Sequence, residues 1–237
     1  MAQSQEEIVA FFDINQDDTN PTLPLNWNIA PTNEIYIVRN RDSFNNSRTL
    51  DIASWGLIAP WHKNLAEARA SQSHAINARS ESIHEKPTFR DAYRSHRCLI
   101  PATGYYEWAT ALGKYPPKQP FYITSKSGEP LSVAGIYSSW RDEKGEVIKS
   151  ASIITQEAVG ELATIHSRMP VFVSRERWDA WLDPKLREIA ALQELMAVSN
   201  PAESLSARPV SPRVNLVANN GPNLLDTFEL GEPQTLF

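Results

Sequence analysis

The chain has 237 residues, of which 41% are hydrophobic and 22% are charged. This composition is typical of a globular protein and supplies enough apolar side chains for one sizeable core. The formal net charge of −5 excludes a protein coated in positive charge, although it leaves room for a local basic groove.

Hydrophobic periodicity and turn residues predict a series of short elements along the chain. In chain order these are a helix at residues 4–12, strands at 34–39 and 49–59, helices at 63–73 and 89–95, a strand that starts at 98–101 and runs into 104–108, strands at 121–124, 131–140, 150–155 and 171–173, helices at 174–181 and 184–197, and extended segments at 209–211 and 214–217. Strands outnumber helices and do not alternate with them regularly. We therefore expect an α+β fold: a single domain over residues 1–237 with a mainly antiparallel, barrel-like β-sheet core flanked by short helices, and a loose tail from about residue 229.

The sequence also predicts a cytoplasmic protein with no membrane segment. No apolar run approaches the roughly 20 residues that a transmembrane helix needs. Residues 1–7 lack the basic and apolar regions of a secretory signal. Cys98 is the only cysteine, which excludes an intramolecular disulfide and a cysteine-based metal site. Because Leu99 and Ile100 follow it, Cys98 is interpreted as a buried structural thiol.

Three segments, 76–81, 104–108 and 165–170, each place a polar side chain in a run that otherwise reads as a buried strand or its end. The polar residues are Asn77, Glu107 and His166. Burying any of them costs free energy unless it finds a partner, and bringing the three together would supply partners for all. An amide, a carboxyl and an imidazole in one cleft would form an acid/base site.

Cationic and aromatic residues near these segments suggest a nucleic-acid surface. Residues two apart in an extended segment face the same way, so Asn77 and Arg79 are expected to point into one cleft. Exposed aromatics beside Arg79 and Arg168 would give bases a stacking surface, with the cations holding phosphates. Each residue also has a structural alternative: a solvated strand end at Arg79, an outward-facing Glu107, or a core His166.

A metal site or a cofactor site is not predicted. The other histidines show no metal-ligand spacing, so neither a metal ion nor another cofactor is expected. The histidines concerned are His62, His74, His84 and His96.

The order and spacing of these motifs resemble the SRAP family, the SOS-response-associated peptidases or abasic-site-processing proteins. The resemblance runs along nearly the whole chain. It rests on residues 28–32, 55–58, 76–81, 85–89, 97–101, 104–108, 165–170 and 209–211.

The resemblance implies an abasic-site sensor or processor of the DNA-damage response. Such a protein binds single-stranded DNA at abasic sites and forms a covalent DNA–protein crosslink. The nucleophile is a cysteine at position two, which becomes the N-terminus when the initiator Met is removed. Its amine and thiol condense with the ring-opened sugar to give a thiazolidine. We also expect the protein to be a monomer, located in the cytoplasm and associated with the nucleoid when bound to DNA.

The resemblance also implies roles for individual residues. Asn77 would hold the terminal amine, Glu107 would assist proton transfer and ring opening, and His166 would stabilise the Schiff-base stage and take part in reversal. The remaining residues would contact DNA: Arg79 and Arg168 at the flanking phosphates, Lys86 in support, and Trp61 along the DNA path.

The start of the chain departs from the family pattern. Family members open with Met-Cys-Gly-Arg and an aromatic residue, whereas this chain opens with Met1-Ala2-Gln3-Ser4-Gln5. Either an internal Met has been taken as the start and the reactive cysteine lies upstream, or the nucleophile has been lost. The retained acid/base residues favour the first explanation. Under both, the chain as written is expected to bind abasic single strands without a stable crosslink.

Two other functions compete with this one. The family name suggests a peptidase, which the resemblance limits to self-processing, the removal of a short propeptide. The other is a single-stranded-DNA-binding relative without catalysis, whose binding would be salt-dependent and indifferent to the lesion.

Overall fold

The computed structural model describes residues 3–14, 22–41, 47–110, 115–197 and 201–230. In chain order the helices and strands of this part of the chain are α1 Gln5–Phe11, β1 Glu34–Asn40, β2 Arg48–Trp55, α2 Leu65–Gln72, β3 Asn77–Arg79, α3 Pro87–Ser95, β4 Arg97–Ala102, β5 Gly104–Trp108, β6 Pro120–Ser125, β7 Leu131–Arg141, β8 Val147–Glu157, β9 Arg168–Pro170, α4 Trp178–Leu182, α5 Ile189–Met196 and β10 Leu205–Pro209.

The strands form two sheets. The larger has seven strands in the order β2-β1-β4-β7-β8-β3, with β9 paired to β8. A further pairing of β2 with β8 closes this sheet into a barrel. Strands β2 and β3 run parallel to β8, and the other neighbours are antiparallel. The smaller sheet is antiparallel, in the order β10-β6-β5. The expected α+β fold with a barrel-like sheet and short helices is confirmed.

Alternating side chains of the large sheet pack into two separate hydrophobic cores, one on each face. On one face, Leu99 and Ile154 join side chains from the helices, among them Phe12 and Trp178. On the other face, residues such as Ile100 pack with apolar side chains of the small sheet, among them Phe121 and Ile123. The period of two in β4 thus divides the strand between a helix-covered face and a sheet-covered face.

The first helix matches its sequence signals. Ser4 caps α1 by accepting a hydrogen bond from the Glu7 N–H at 3.3 Å, and the Glu7 carboxylate accepts one from the Ser4 N–H at 2.8 Å. This reciprocal capping box satisfies two amide groups that a helix start leaves free. Met1, Ala2 and residues 231–237 of the expected tail lie outside the described residues. Among the residues that are described, no helix is long and apolar enough to cross a bilayer.

The largest correction concerns the predicted strand from Cys98 to Trp108. The structure splits it at Thr103 into β4, which pairs with β7 in the large sheet, and β5, which pairs with β6 in the small sheet. A continuous apolar pattern shows that both halves are extended but carries no information on which strand each half pairs with.

Smaller corrections fall near the C-terminal end. The predicted strand at 171–173 is displaced, since β9 lies at Arg168–Pro170 and Phe172 makes only an isolated bridge to Val133. The helix predicted from residue 184 begins at Ile189. The extended segment predicted at 214–217 was wrong, because Pro212–Asn215 forms a 3₁₀ turn.

Candidate active site

Strand β5 positions Glu107. The strand opens on Gly104, where a Cβ atom would lie 2.4 Å from the Tyr122 ring and 2.6 Å from the Ile123 carbonyl oxygen. Only glycine allows the backbone so close to β6. Three residues further on, Glu107 stands opposite Phe121 in the β5–β6 register.

The side chain of Trp108, the next residue after Glu107, lies on the opposite face of β5. Its ring remains 38% exposed, and its Nε1–H donates to Asn215 Oδ1 at 2.7 Å. Tyr106, on the same face, donates its hydroxyl hydrogen to the Trp27 carbonyl at 2.8 Å. The strand therefore presents a carboxyl group on one face and anchored aromatic rings on the other.

The Glu107 carboxyl group lies beside His166. Glu107 Oε2 is 3.8 Å from His166 Nδ1, and the two side chains are 23% and 32% exposed. Burial raises the pKa of Glu107, and the charge on His166 and the Trp108 N–H oppose this only in part. A carboxyl group with a raised pKa holds its proton closer to neutrality and can donate it to a substrate.

The backbone of Arg168 contacts one nitrogen of the His166 ring. The Arg168 N–H donates to His166 Nδ1 at 3.0 Å, which suits a ring that carries its hydrogen on Nε2. The Arg168 carbonyl oxygen lies 3.2 Å from the same Nδ1 and could accept a hydrogen bond only from a ring with a hydrogen on Nδ1. These contacts hold the orientation of the ring beside Glu107.

Strand β3 carries Asn77 and Arg79. Both are exposed while Ala78 between them is fully buried, so the two side chains share a face as strand alternation predicts. In the parallel register with β8, Arg79 stands opposite Thr155. Within the described residues, the Arg79 guanidinium makes no hydrogen bond.

Strand β8 and one loop contact connect these parts. Thr155 pairs with Arg79 on one side and with Pro170 of β9 on the other. Just beyond β5, the Thr110 N–H donates to the Ile165 carbonyl at 2.9 Å, next to His166. The structure thus brings Glu107 and His166 into direct proximity and places Asn77 and Arg79 across β8 from β9. No side-chain contact joins Asn77 to Glu107 or His166 among the described residues.

Arg168 is held by an acidic neighbour. Its Nη1 and Nη2 donate to the two carboxylate oxygens of Glu81 at 2.5 and 3.0 Å, and Nη2 also donates to the Thr155 carbonyl at 2.7 Å. The hydrogen bonds and charge of Arg168, together with a backbone hydrogen bond and the charge of Arg79, hold the pKa of Glu81 below its ordinary value. No local signal in the sequence predicts this pair, because Glu81 and Arg168 lie 87 residues apart and meet only through the sheet.

Trp61 and Lys86 are both exposed, and the Lys86 N–H donates to the Ser82 carbonyl in the turn after β3. Trp61 is 51% exposed and its ring neighbour is His62 at 6.3 Å. Lys86 is exposed at the start of α3, where its side chain makes no capping hydrogen bond. No described contact joins either residue to Glu107 or His166.

The described residues support acid/base chemistry. No group of three or more His, Cys, Asp and Glu side chains among them is placed to hold a metal ion. Cys98 is fully buried, and burial raises the pKa of its thiol far above the ordinary range. Since the thiolate is the reactive form, Cys98 is a structural thiol and not the nucleophile of this site.

Comparison with known proteins identifies the class to which this fold and site belong. The family model described as SOS response associated peptidase (SRAP) matches residues 1–217. The chain belongs to the SRAP family.

Two relatives carry the same kind of name. The abasic site processing protein YoaM of Bacillus subtilis (strain 168) is 36% identical over 221 residues, covering 93% of this chain and 93% of the relative. The abasic site processing protein HMCES of Rattus norvegicus is 32% identical over 216 residues, covering 80% of this chain and 60% of the longer relative.

Solved structures show the same fold. A protein from Bacteroides thetaiotaomicron superposes with a TM-score of 0.72 at 28% identity, covering 84% of this chain and 82% of that one. A protein from Bordetella bronchiseptica superposes with a TM-score of 0.73 at 26% identity, covering 89% of this chain and 97% of that one. The relatives support a role in processing DNA lesions for this family.

Proposed function

We propose that this protein processes abasic sites in single-stranded DNA by forming a covalent crosslink to the lesion. The observation that carries the proposal is the contact of 3.8 Å between Glu107 and His166, which unites a carboxyl group of raised pKa with an imidazole. The names of the relatives supply the substrate, an abasic site. Arg79, exposed on the neighbouring strand, is placed to hold a phosphate.

The chemistry starts with opening of the sugar. In the ring-closed abasic sugar, Glu107 donates its proton to the ring oxygen as the C1′ hydroxyl loses its own, which yields the aldehyde and a free hydroxyl. An N-terminal α-amine, held by Asn77, then adds to the aldehyde carbon, and loss of one water leaves a Schiff base. The amine has a pKa of about 8, so a useful neutral fraction exists near neutrality.

The second step closes the ring. The cysteine thiol adds to the imine carbon, its proton passes to the nitrogen, and a thiazolidine results with no further leaving group. His166 assists this transfer and, in the reverse direction, returns the proton to the sulfur. The adduct therefore weighs as much as protein plus oligonucleotide minus one water.

The thiol of this mechanism belongs to an N-terminal cysteine, which Ala2 does not provide. The crosslinking step of this proposal therefore requires a form of the protein whose N-terminus is cysteine. The chain as printed should bind the lesion without forming a heat-stable adduct, because Ala2 supplies at most an amine.

The test is an intact mass spectrum of the protein produced from its own gene with its upstream region, after incubation with an abasic single-stranded oligonucleotide. The expected species is the adduct minus one water, on a chain whose N-terminus is cysteine. A matched oligonucleotide with a tetrahydrofuran site, which has no aldehyde, should give no adduct. Binding of the true abasic strand without any adduct by a chain with an N-terminal cysteine would overturn the proposal.

A single-strand binder without catalysis is the second candidate, and the exposed Arg79 favours it. Such a protein would bind abasic and intact strands equally, and Glu107→Gln would change nothing. A peptidase acting on other proteins has less support, because Cys98 is buried. Cleavage of a generic peptide by the wild-type protein, with loss of that activity in His166→Ala, would support the peptidase.

A further inference from the structure

The two arginines expected at the DNA phosphates differ in how many donors they have free. The Arg79 side chain is exposed and makes no hydrogen bond to a described residue. The Arg168 guanidinium already gives three of its five N–H groups to Glu81 and Thr155. Its Nε is buried and has no hydrogen-bond partner among the described residues. A phosphate arriving at Arg168 therefore finds one Nη1 hydrogen.

Glu81 contacts Arg168 in the way that a phosphate would. Its two oxygens meet the two terminal nitrogens of Arg168 side by side, which is the geometry in which a guanidinium binds a phosphate. The Glu81 side chain is 51% exposed, whereas that of Arg168 is 21% exposed. The acid is thus the more exposed partner of the pair, and exposed ion pairs open at low free-energy cost.

We infer that Glu81 masks Arg168 and is displaced by a DNA phosphate, so that Arg168 engages the strand only after Arg79 has captured it. This inference rests on the proposed function, since it concerns the same DNA site. Because the pair has no net charge, Arg168 adds nothing to long-range attraction of DNA while Glu81 is in place. Glu81 thereby makes the protein a weaker binder of single strands in general.

The test is fluorescence anisotropy with a labelled single strand carrying a tetrahydrofuran site, followed as a function of salt. Glu81→Gln removes the charge and keeps the shape, so Arg168 gains a net positive charge. In the wild-type protein the displaced Glu81 carboxylate stays beside the strand and its charge offsets the Arg168 contact, whereas in the variant that contact counts as one full phosphate contact. The slope of log affinity against log salt should therefore be steeper by about 0.7, so affinity at about 0.1 M salt rises about fivefold and the gain fades near 1 M. The gain should vanish in the double variant Glu81→Gln, Arg168→Gln.

The matched control is Glu157→Gln. Glu157 is exposed and stands opposite Arg168 in the β8–β9 register, and it makes no ion pair with Arg168 among the described residues. An equal gain in Glu157→Gln would reduce the effect to general charge and overturn the inference. Weaker binding by Glu81→Gln, with an unchanged melting temperature, would show that Glu81 positions Arg168 and would also overturn it.

The two proposals fail in distinguishable ways. If the wild-type protein binds the strand, Arg79→Gln weakens binding and Glu81→Gln has no effect, the masking inference is wrong while the proposed function stands. If neither the wild-type protein nor Glu81→Gln binds the strand even at low salt, both are wrong.

Discussion

Asp51 on β2 and Glu107 on β5 are both carboxyl groups that the fold removes from water, and their pKa values move in opposite directions. Burial alone would raise the pKa of Asp51, but the hydrogen bonds and charges of Lys149 and Arg39 outweigh burial and lower it. Lys149 Nζ lies 2.8 Å away, and Arg39 donates from its Nε. Glu107 has no cation in hydrogen-bond contact among the described residues, only the His166 ring and the Trp108 N–H, and burial raises its pKa.

Solvent exposure of the side chains does not by itself explain the contrast. The side chain of Asp51 is 4% exposed and that of Glu107 is 23% exposed, yet the less exposed carboxyl group is the one whose pKa is lowered. The partners differ: Asp51 has two cations in contact, whereas Glu107 has one imidazole at 3.8 Å and one backbone N–H at 3.2 Å. A carboxylate with complete compensation stabilises the fold, whereas one with incomplete compensation remains available for proton transfer.

The largest loss of stability is expected for Asp51→Asn. It leaves Arg39 and Lys149 without their shared anion and should lower the free energy of unfolding by about 3 kcal/mol. Chemical denaturation measures this, with Asp179→Asn as the control. Asp179 is 57% exposed and paired to Arg48, so its loss should cost less than about 1 kcal/mol. Equal costs would show that burial adds nothing to the pair.

Gly104→Ala should have the next largest effect, because it forces β5 away from β6. The new Cβ would lie 2.4 Å from the Tyr122 ring. Overpacking of this kind costs about 2 kcal/mol, and the shift would carry Glu107 away from His166. Gly145→Ala is the control, since its Cβ meets nothing within 4 Å and only its positive φ of 88° is strained. A variant of Gly104 that keeps full stability, and full crosslinking when made with an N-terminal cysteine, would contradict the role assigned to this close approach.

Glu107→Gln should stabilise the protein at neutral pH by on the order of 1 kcal/mol. Below the ordinary carboxyl pKa of 4.5, Glu107 is protonated in both the folded and unfolded states, so the variant should gain nothing there. As the pH rises, the unfolded chain ionises first and the folded state binds more protons, so wild-type stability falls through the raised pKa.

Denaturant titrations of wild type and Glu107→Gln, at neutral pH and below pH 4.5, measure this difference in the free energy of unfolding. Asp51 should show the opposite trend, because its folded pKa is lowered: its contribution is present above 3.8 and is lost as the pH falls below that value. A gain in Glu107→Gln that does not depend on pH would mean that desolvation of the carboxylate is not its source.

Local signals in the sequence were sufficient to predict most elements. The capping residues Ser4 and Glu7 mark the start of α1, and the β-branched runs around residues 34–39 and 150–155 mark β1 and β8. What the sequence could not show is pairing. The run from Cys98 to Trp108 is extended throughout, yet its halves belong to different sheets.

The same limit applies to the site. Asn77, Glu107 and His166 could be selected because each interrupts an apolar run, and the contact between Glu107 and His166 agrees with that reasoning. The bond between Glu81 and Arg168 has no local signal. It exists because β3 and β9 both flank β8, a property of the folded sheet.

The smallest effect on stability is expected for His166→Gln, which tests directly whether His166 affects the pKa of Glu107. The ring is about a third exposed, and a glutamine oxygen can replace Nδ1 as the acceptor for the Arg168 N–H, so stability should change by less than about 0.5 kcal/mol. The pKa of Glu107 should nevertheless rise further, because the charge on His166 lowers that pKa in the wild-type protein. Carbon-13 NMR titration of the glutamate carboxyl groups, assigned with Glu107→Gln, measures this shift. His62→Gln, which removes the contact of 2.7 Å to Ser71, should leave the titration unchanged. If His166→Gln also leaves it unchanged, the two groups are not electrostatically connected, and Glu107 owes its pKa to burial alone.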